Sequence, residues 1–268
     1  MIEVFEQDIK DDGRKSSKGN QLKWCTKGFW YKADYLGYEG LAECVVSALL
    51  QKSNLTDDEF VIYEPEQIKY KSVIYSGCKS KDFSNGLRII TLERLFMNQL
   101  GEGLNRGIYS IKDHKERIAY MANQVERVTG LRNFGIYLNK LFTIDAVFLN
   151  EDRHTHNISV MVDGDGNFKP CPIYDNGAAL LSDTRMDYPI EADVYESIES
   201  VKAKTVCDSF EEQLELSESL YGSNIKFHFD NSDVTRILDS ISIYNDDEKS
   251  RVFDIIAEQR RKYQYLFE

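Results

Sequence analysis

The chain has 268 residues, and its 42% hydrophobic content is enough for a sizeable core in one large domain or two smaller ones. The formal net charge of -12 argues against direct nucleic-acid binding, which needs a basic face, and against a polybasic membrane contact. The five cysteines form no C-x-x-C pair, the N-terminus lacks a signal-peptide pattern, and no run approaches the roughly 20 apolar residues of a membrane span. We therefore expect a soluble, cytoplasmic protein with reduced thiols.

The N-terminal part predicts a small, sheet-rich region. Residues 22–33 are aromatic-rich and contain one glycine, which predicts a β-hairpin after a polar loop over 11–20. Apolar residues at helical spacing predict a helix over 40–52. Two short strands are predicted over 60–63 and 70–75.

Helical periodicity dominates after Gly86, and a linker is expected near residues 76–90, where Gly, Ser, Asn and Lys cluster. The predicted elements are helices over 91–100, 113–129 and 134–149, strands over 158–162 and 168–174, and two or three amphipathic helices beyond Ser209. The helix over 134–149 has few polar positions, which indicates that it is buried.

A polar loop follows this buried helix. In it Asp152 and Asn157 are five residues apart, and Asp175 follows the second strand. A kinase needs an aspartate to accept the proton of the attacking hydroxyl, and an asparagine and a second aspartate to hold Mg²⁺. The same spacing occurs in the catalytic loop of protein kinases. The pattern predicts phosphoryl transfer, and a structural loop capped by its Asp and Asn is the alternative.

Two other metal sites are less well supported by the sequence. Asp163-x-Asp165-x-Asn167 imitates the start of an EF-hand, but Phe168 and Tyr174 stand where that loop has Gly and Glu. His154, His156 and Cys171 define no complete zinc ligand set. We expect neither calcium nor zinc at these positions.

These residues resemble HipA-type serine/threonine kinases. Residues 150–157, with Ile173-Tyr174-Asp175, look like the catalytic and metal-binding motifs of that family. Residues 16–23, Ser-Ser-Lys-Gly-Asn-Gln-Leu-Lys, are similar to its S-x-x-G-x-Q-x-K phosphate loop. Residues 42–50 resemble its N-E-Y helix, with Ala42 in place of Asn. The D-R-H-x-x-N loop also occurs in phosphoinositide-type lipid kinases and does not distinguish the two families. The two upstream motifs favour HipA.

The resemblance implies a role for each matching residue, with ATP and Mg²⁺ as cofactors. Lys32 would contact the α- and β-phosphates and pair with Glu43, with Glu39 as the alternative partner. The implied catalytic base is Asp152, and the implied Mg²⁺ ligands are Asn157 and Asp175.

The phosphate loop also carries implied contacts. Gly19, Gln21 and Lys23 would bind the nucleotide, although Lys23 is alternatively an ordinary surface lysine. Ser16 matches the position at which HipA-type kinases are autophosphorylated. A phosphate there adds roughly two negative charges, and repulsion from the ATP phosphates would then silence the enzyme.

The fold implied by the resemblance is α+β and bilobal, like that of protein kinases. It has a small β-rich N-lobe over 1–80 and a larger, mostly helical C-lobe over 81–268. The implied function is phosphoryl transfer to a Ser or Thr hydroxyl of a protein substrate. A lipid or small-molecule kinase and a nucleotide-binding pseudokinase remain as alternatives.

HipA proteins usually have an extra N-terminal subdomain, whereas about fifteen residues precede Ser16 here. We expect that element to be missing or supplied by a separate chain. A toxin–antitoxin arrangement with an antitoxin or accessory subunit therefore stays open.

Overall fold

A computed structural model of the chain describes residues 1–9 and 21–268. The strands are β1 (Ile2–Val4), β2 (Lys23–Thr26), β3 (Phe29–Ala33), β4 (Tyr63–Pro65), β5 (Ile68–Tyr70), β6 (Val73–Tyr75), β7 (Gly77–Lys81), β8 (Arg88–Thr91), β9 (Ser159–Val162) and β10 (Phe168–Pro170). The helices are α1 (Glu39–Leu50), α2 (Leu92–Leu100), α3 (Leu104–Ser110), α4 (His114–Thr129), α5 (Phe134–Phe148), α6 (Val194–Ser200), α7 (Phe210–Tyr221), α8 (Asn231–Ser240) and α9 (Asp246–Lys262).

The chain forms two compact units, and each is assembled from separate stretches. The first unit comprises Met1–Phe83, Tyr174–Val201 and Lys226–Glu268. The second unit comprises Ser84–Ile173 and Lys202–Ile225. The predicted lobes, 1–80 and 81–268, are continuous ranges, whereas each of these units combines separate stretches of the chain. The division into two lobes at residue 80 therefore stays a prediction.

The first unit contains a four-stranded antiparallel sheet of order β2-β3-β7-β4. The β2–β3 turn is formed by Lys27 and Gly28, both with positive φ (53° and 78°), as a tight two-residue hairpin turn requires. Trp24 and Tyr31 of this hairpin pack against Val4 and Ile68 of the three-stranded sheet β1-β5-β6. The predicted hairpin is confirmed.

Helix α1 is buried on almost every face. Its second residue, Gly40, lies so close to β7 that an added Cβ would be 2.6 Å from the carbonyl carbon of Gly77. A larger residue there would separate α1 from the sheet. This close packing positions the helix that carries Glu43 beside the strands.

The second unit combines α2–α5 and α7 with the antiparallel sheet β10-β9-β8. Helix α5 is largely buried, as its sequence predicts. Its polar residue Asn139 donates to the Ser217 hydroxyl (3.0 Å) and accepts from the backbone N–H of Asn224 (3.1 Å). These bonds compensate the cost of burying an amide and fix α5 against α7.

The predicted helices are confirmed within one or two residues, and three amphipathic helices follow Ser209. The sequence predicted neither α3 nor α6. The predicted strand over 60–63 is wrong, because β4 begins only at Tyr63. The run over 70–75 is divided by a turn at Lys71, whose φ is 56°, into the antiparallel strands β5 and β6.

Two further predictions of the sequence need correction. The strand predicted over 168–174 ends at Pro170, because Pro170 and Pro172 have no N–H for a sheet hydrogen bond. The expected linker over 76–90 contains β7 and most of β8, although the division between the two units falls inside it, after Phe83.

Asp34 provides a stability test. Its carboxylate accepts from the N–H of Gly40 (2.6 Å) and the hydroxyl of Tyr244 (2.8 Å). Burial and, next, the carboxylate of Glu39 raise the pKa of Asp34 to about 7. Between about pH 4 and about pH 7, the Asp34 carboxyl is therefore protonated in the folded state and ionised in the unfolded state. The free energy of unfolding should thus fall as the pH rises from about 4 to about 7.

Asp34→Asn should remove this part of the pH dependence, because an amide keeps the acceptor for Gly40 and offers a donor to Tyr244. Between about pH 5 and about pH 7.5, we expect the variant to lose less stability than the wild type by about 1–3 kcal/mol. Urea unfolding at both pH values measures this difference. Equal losses in the two proteins would contradict the assignment.

Candidate active site

Three residues distant in sequence meet in the first unit. The Lys32 Nζ donates to Glu43 Oε1 at 2.5 Å and to Asp175 Oδ1 at 2.7 Å. Lys32 is 8% exposed and Glu43 is 1% exposed, whereas the Asp175 side chain is 24% exposed. We call these residues the lysine cluster; it is buried on the glutamate side and accessible on the aspartate side.

The local structure explains this meeting. Lys32 is on β3, and Glu43 is on the buried helix α1. Asp175 has a left-handed backbone (φ 62°), which an aspartate tolerates better than most residues. The next residue, Asn176, donates its backbone N–H to Glu43 Oε2 at 2.9 Å. Both oxygens of Glu43 are therefore occupied.

Glu39, the alternative partner for Lys32, has a different task. Its carboxylate accepts from the backbone N–H groups of Leu36 (2.6 Å) and Gly37 (3.1 Å), just before α1 begins. The structure therefore pairs Lys32 with Glu43 and uses Glu39 in the turn.

Electrostatics keep Lys32 charged. Burial alone would lower the pKa of Lys32, but the carboxylates of Asp175 and Glu43 outweigh it and hold that pKa well above its usual value. The ammonium also lies 5.1 Å from the ring centroid of Tyr63, within cation–π range. Two carboxylates thus share one ammonium, and this excess of negative charge suits a divalent cation.

The polar loop containing Asp152 and Asn157 belongs to the second unit. The amide nitrogen of Asn157 donates to the carbonyl oxygen of Asp152 (2.8 Å) and to its Oδ2 (3.2 Å). His154 Nε2 lies 3.6 Å from Asp152 Oδ1, and His156 is exposed. The loop therefore holds the side chains of Asp152 and Asn157 together. Because the amide nitrogen of Asn157 donates to Asp152, the amide oxygen is the atom of Asn157 that suits a cation.

A buried ion pair anchors this loop to α5. Arg153 is 1% exposed and donates through Nε to both oxygens of Asp145, at 3.1 and 3.2 Å. Burial raises the pKa of Asp145 to about 6, although Arg153 opposes the shift. The hydroxyl of Thr205 also donates to the carbonyl oxygen of Arg153. Arg153, which directly follows Asp152, is thus held through both its side chain and its carbonyl oxygen.

The predicted phosphate loop is only partly described. Ser16 and Gly19 lie outside the described residues. Gln21 is half-buried just before β2, and Lys23 is directly opposite Lys32 in the β2–β3 ladder. Directly opposed residues share a face of the sheet, so the two lysines lie on the same side.

Sequence reasoning missed Asn176, Tyr63, Asp145 and Thr205. Asp145 carried a usable signal, because it is the only acidic residue in the largely apolar helix α5. The others carried none, since their importance rests on contacts with residues remote in sequence.

Each unit has groups that suit magnesium or a nucleotide. Asp175 in the first unit offers a carboxylate oxygen and Asn157 in the second unit an amide oxygen, and Mg²⁺ prefers oxygen ligands. Lys32 has three N–H donors, and among the described residues Glu43 and Asp175 engage two of them, so a third can serve a phosphate oxygen.

Comparison with solved structures shows a kinase fold. The proinflammatory kinase CtkA of Helicobacter pylori superposes with a TM-score of 0.59 at 15% identity, covering 97% of this chain and 95% of that one. HipA of Shewanella oneidensis MR-1, in complex with HipB and operator DNA, gives a TM-score of 0.50 at 12% identity, covering 95% of this chain and 62% of HipA. The predicted α+β fold of protein-kinase type is confirmed.

At the sequence level, no protein-family model and no curated protein matches this chain. Among the described residues, no helix has the length and apolar character needed to cross a membrane.

Proposed function

We propose that this protein is a HipA-like kinase that transfers a phosphoryl group from ATP, with Mg²⁺, to a Ser or Thr hydroxyl of a protein. The observation that carries the proposal is the lysine cluster, in which an ammonium is held between two carboxylates and remains charged. Protein kinases hold a phosphate-binding lysine by a helix glutamate and bind metal through a following aspartate. The fold likeness to kinases supports the same assignment.

Each residue of the proposed site has a specific task. Lys32 would bind the α- and β-phosphates, and Glu43 would hold its ammonium in place. Asp152 would accept the proton of the attacking hydroxyl and orient its oxygen. Asn157 and Asp175 would hold Mg²⁺, which when bound neutralises the phosphate charge.

The phosphate loop would add contacts and a regulatory site. Lys23 is on the same face of the sheet as Lys32, which supports a second contact with the phosphates, and Gln21 and Gly19 would contribute with it. Ser16 would be the autophosphorylated residue. A phosphate at Ser16 would repel the ATP phosphates and silence the enzyme.

The proposed binding partners rest on the net charge of the chain and on its structural similarity to HipA. A net charge of -12 favours a protein substrate over nucleic acid or an anionic membrane. The HipA structure contains HipB, which supports an antitoxin or accessory subunit as a second proposed partner.

Incubation with radiolabelled ATP and Mg²⁺ tests the proposal. We expect label on protein, lost when EDTA removes the metal, and phosphate at Ser16 or Ser17 by mass spectrometry. Label only on lipid would favour a lipid kinase, and ATP binding without turnover would favour a pseudokinase; either result would contradict the proposal. A labelled protein acceptor with unmodified Ser16 and Ser17 would remove only the autophosphorylation.

A further inference from the structure

We propose that His114, Cys207 and Glu212, in the second unit, form a binding site for a divalent cation of the zinc type. His114 begins α4, Cys207 precedes α7, and Glu212 is in the first turn of α7. One ligand atom of each residue lies within 4.8 Å of the others. His114 Nδ1 and Glu212 Oε1 are 2.7 Å apart.

The donor set selects the class of metal. Imidazole nitrogen, thiolate sulfur and carboxylate oxygen are the three ligand types that Zn²⁺ takes in proteins, whereas Mg²⁺ and Ca²⁺ prefer oxygen alone. This site is therefore chemically distinct from the proposed magnesium ligands, Asn157 and Asp175.

The geometry needs only small movements. Tetrahedral Zn²⁺ with bonds of about 2.0–2.3 Å places its ligand atoms roughly 3.3–3.6 Å apart. The His114–Glu212 pair would open by less than about 1 Å, and Cys207 would approach by at most about 1.5 Å. The His114 and Glu212 side chains are 33% and 46% exposed, so they can adjust.

There is also room for a remaining ligand. The site borders an open depression of about 410 Å³ that is lined by His114, Cys207, Tyr109 and Asp208, among others. Water can therefore fill the fourth position. Arg117 also lines the depression, but its guanidinium donates to the carbonyl oxygens of Ile111 (2.7 Å) and Val206 (2.6 Å), which hold it in place.

The position of the site suggests what the metal would do. Cys207 belongs to the segment 202–208, and Thr205 of that segment donates to the carbonyl oxygen of Arg153. Lys204 also lies 3.5 Å from Glu151, through Nζ and Oε2. A cation that joins Cys207 to α4 and α7 would stabilise the segment that supports the Asp152 loop. Binding forms a sulfur–metal bond and releases the thiol proton to solvent.

Cobalt titration of the EDTA-treated full chain tests the site. We expect a thiolate-to-cobalt charge-transfer band that saturates at one ion per chain and disappears when Zn²⁺ is added. Cys207→Ser should abolish the band, and His114→Gln should weaken cobalt binding at least tenfold. The matched controls Cys25→Ser and His156→Gln should keep it, because neither residue belongs to the cluster.

Absence of the band, or an undiminished band in Cys207→Ser, would overturn the proposal. Because the band reports sulfur ligation, cobalt at Asp175 would not imitate it. If Cys207→Ser does not fold, Glu212→Gln provides the same comparison, with weakened binding expected. Zn²⁺ should also slow amide exchange over 202–208 in the wild type, and unchanged exchange would remove the stabilising role.

Discussion

Replacing Lys32 by methionine should lower the free energy of unfolding by about 3–5 kcal/mol and abolish phosphoryl transfer. Without the ammonium, Glu43 is left as a buried carboxylate beside Asp175, and the loss of one partner of a buried ion pair is strongly destabilising. Methionine fills a similar volume, so the effect reports the charge. Urea unfolding and the ATP assay measure the two parts separately.

Two variants make this test specific. Lys79→Met removes a strand lysine that also pairs with two glutamates, at 3.3 Å (Glu64) and 3.2 Å (Glu66), but Lys79 is 27% exposed and Glu64 is 66% exposed. We expect it to lose no more than about 1 kcal/mol. Adding Glu43→Gln to Lys32→Met should restore part of the stability without restoring activity. Equal losses for Lys32→Met and Lys79→Met would show that the lysine cluster is not a buried ion pair in solution.

Asp152→Asn should reduce the phosphoryl-transfer rate by about 10²–10⁴-fold while ATP binding persists. An amide keeps the size of the carboxylate but cannot accept the proton of the attacking hydroxyl. Label transfer measures the rate, and ATP titration of the same protein measures binding. Retained binding distinguishes a lost base from a misfolded site.

Asp165→Asn is the matched control, because Asp165 is exposed in the turn between β9 and β10 and undergoes the same loss of charge. We expect its rate to equal that of the wild type. If Asp152→Asn were as active as Asp165→Asn, Asp152 would not be the base. A wild type that binds ATP without turnover would instead make the protein a pseudokinase.

Local patterns in the sequence were enough to predict most of the helices and the β2–β3 hairpin. Periodicity shows which face of an amphipathic helix is buried. Helix α5 is apolar on nearly every face, and this predicted that the whole helix is buried. Strand ends were harder, because Lys71 and Pro170 end strands through backbone geometry and hydrogen bonding, which apolar periodicity does not report.

Phosphoryl transfer could be predicted without a structure, because the spacing of Asp152, Asn157 and Asp175 is visible in the sequence. Only the folded chain shows which groups touch. It paired Lys32 with Glu43 instead of Glu39 and brought in Asp175 from 143 residues away. It also placed His114 beside Cys207 and Glu212. Such contacts depend on strand register and helix placement across the whole fold, which local patterns do not encode.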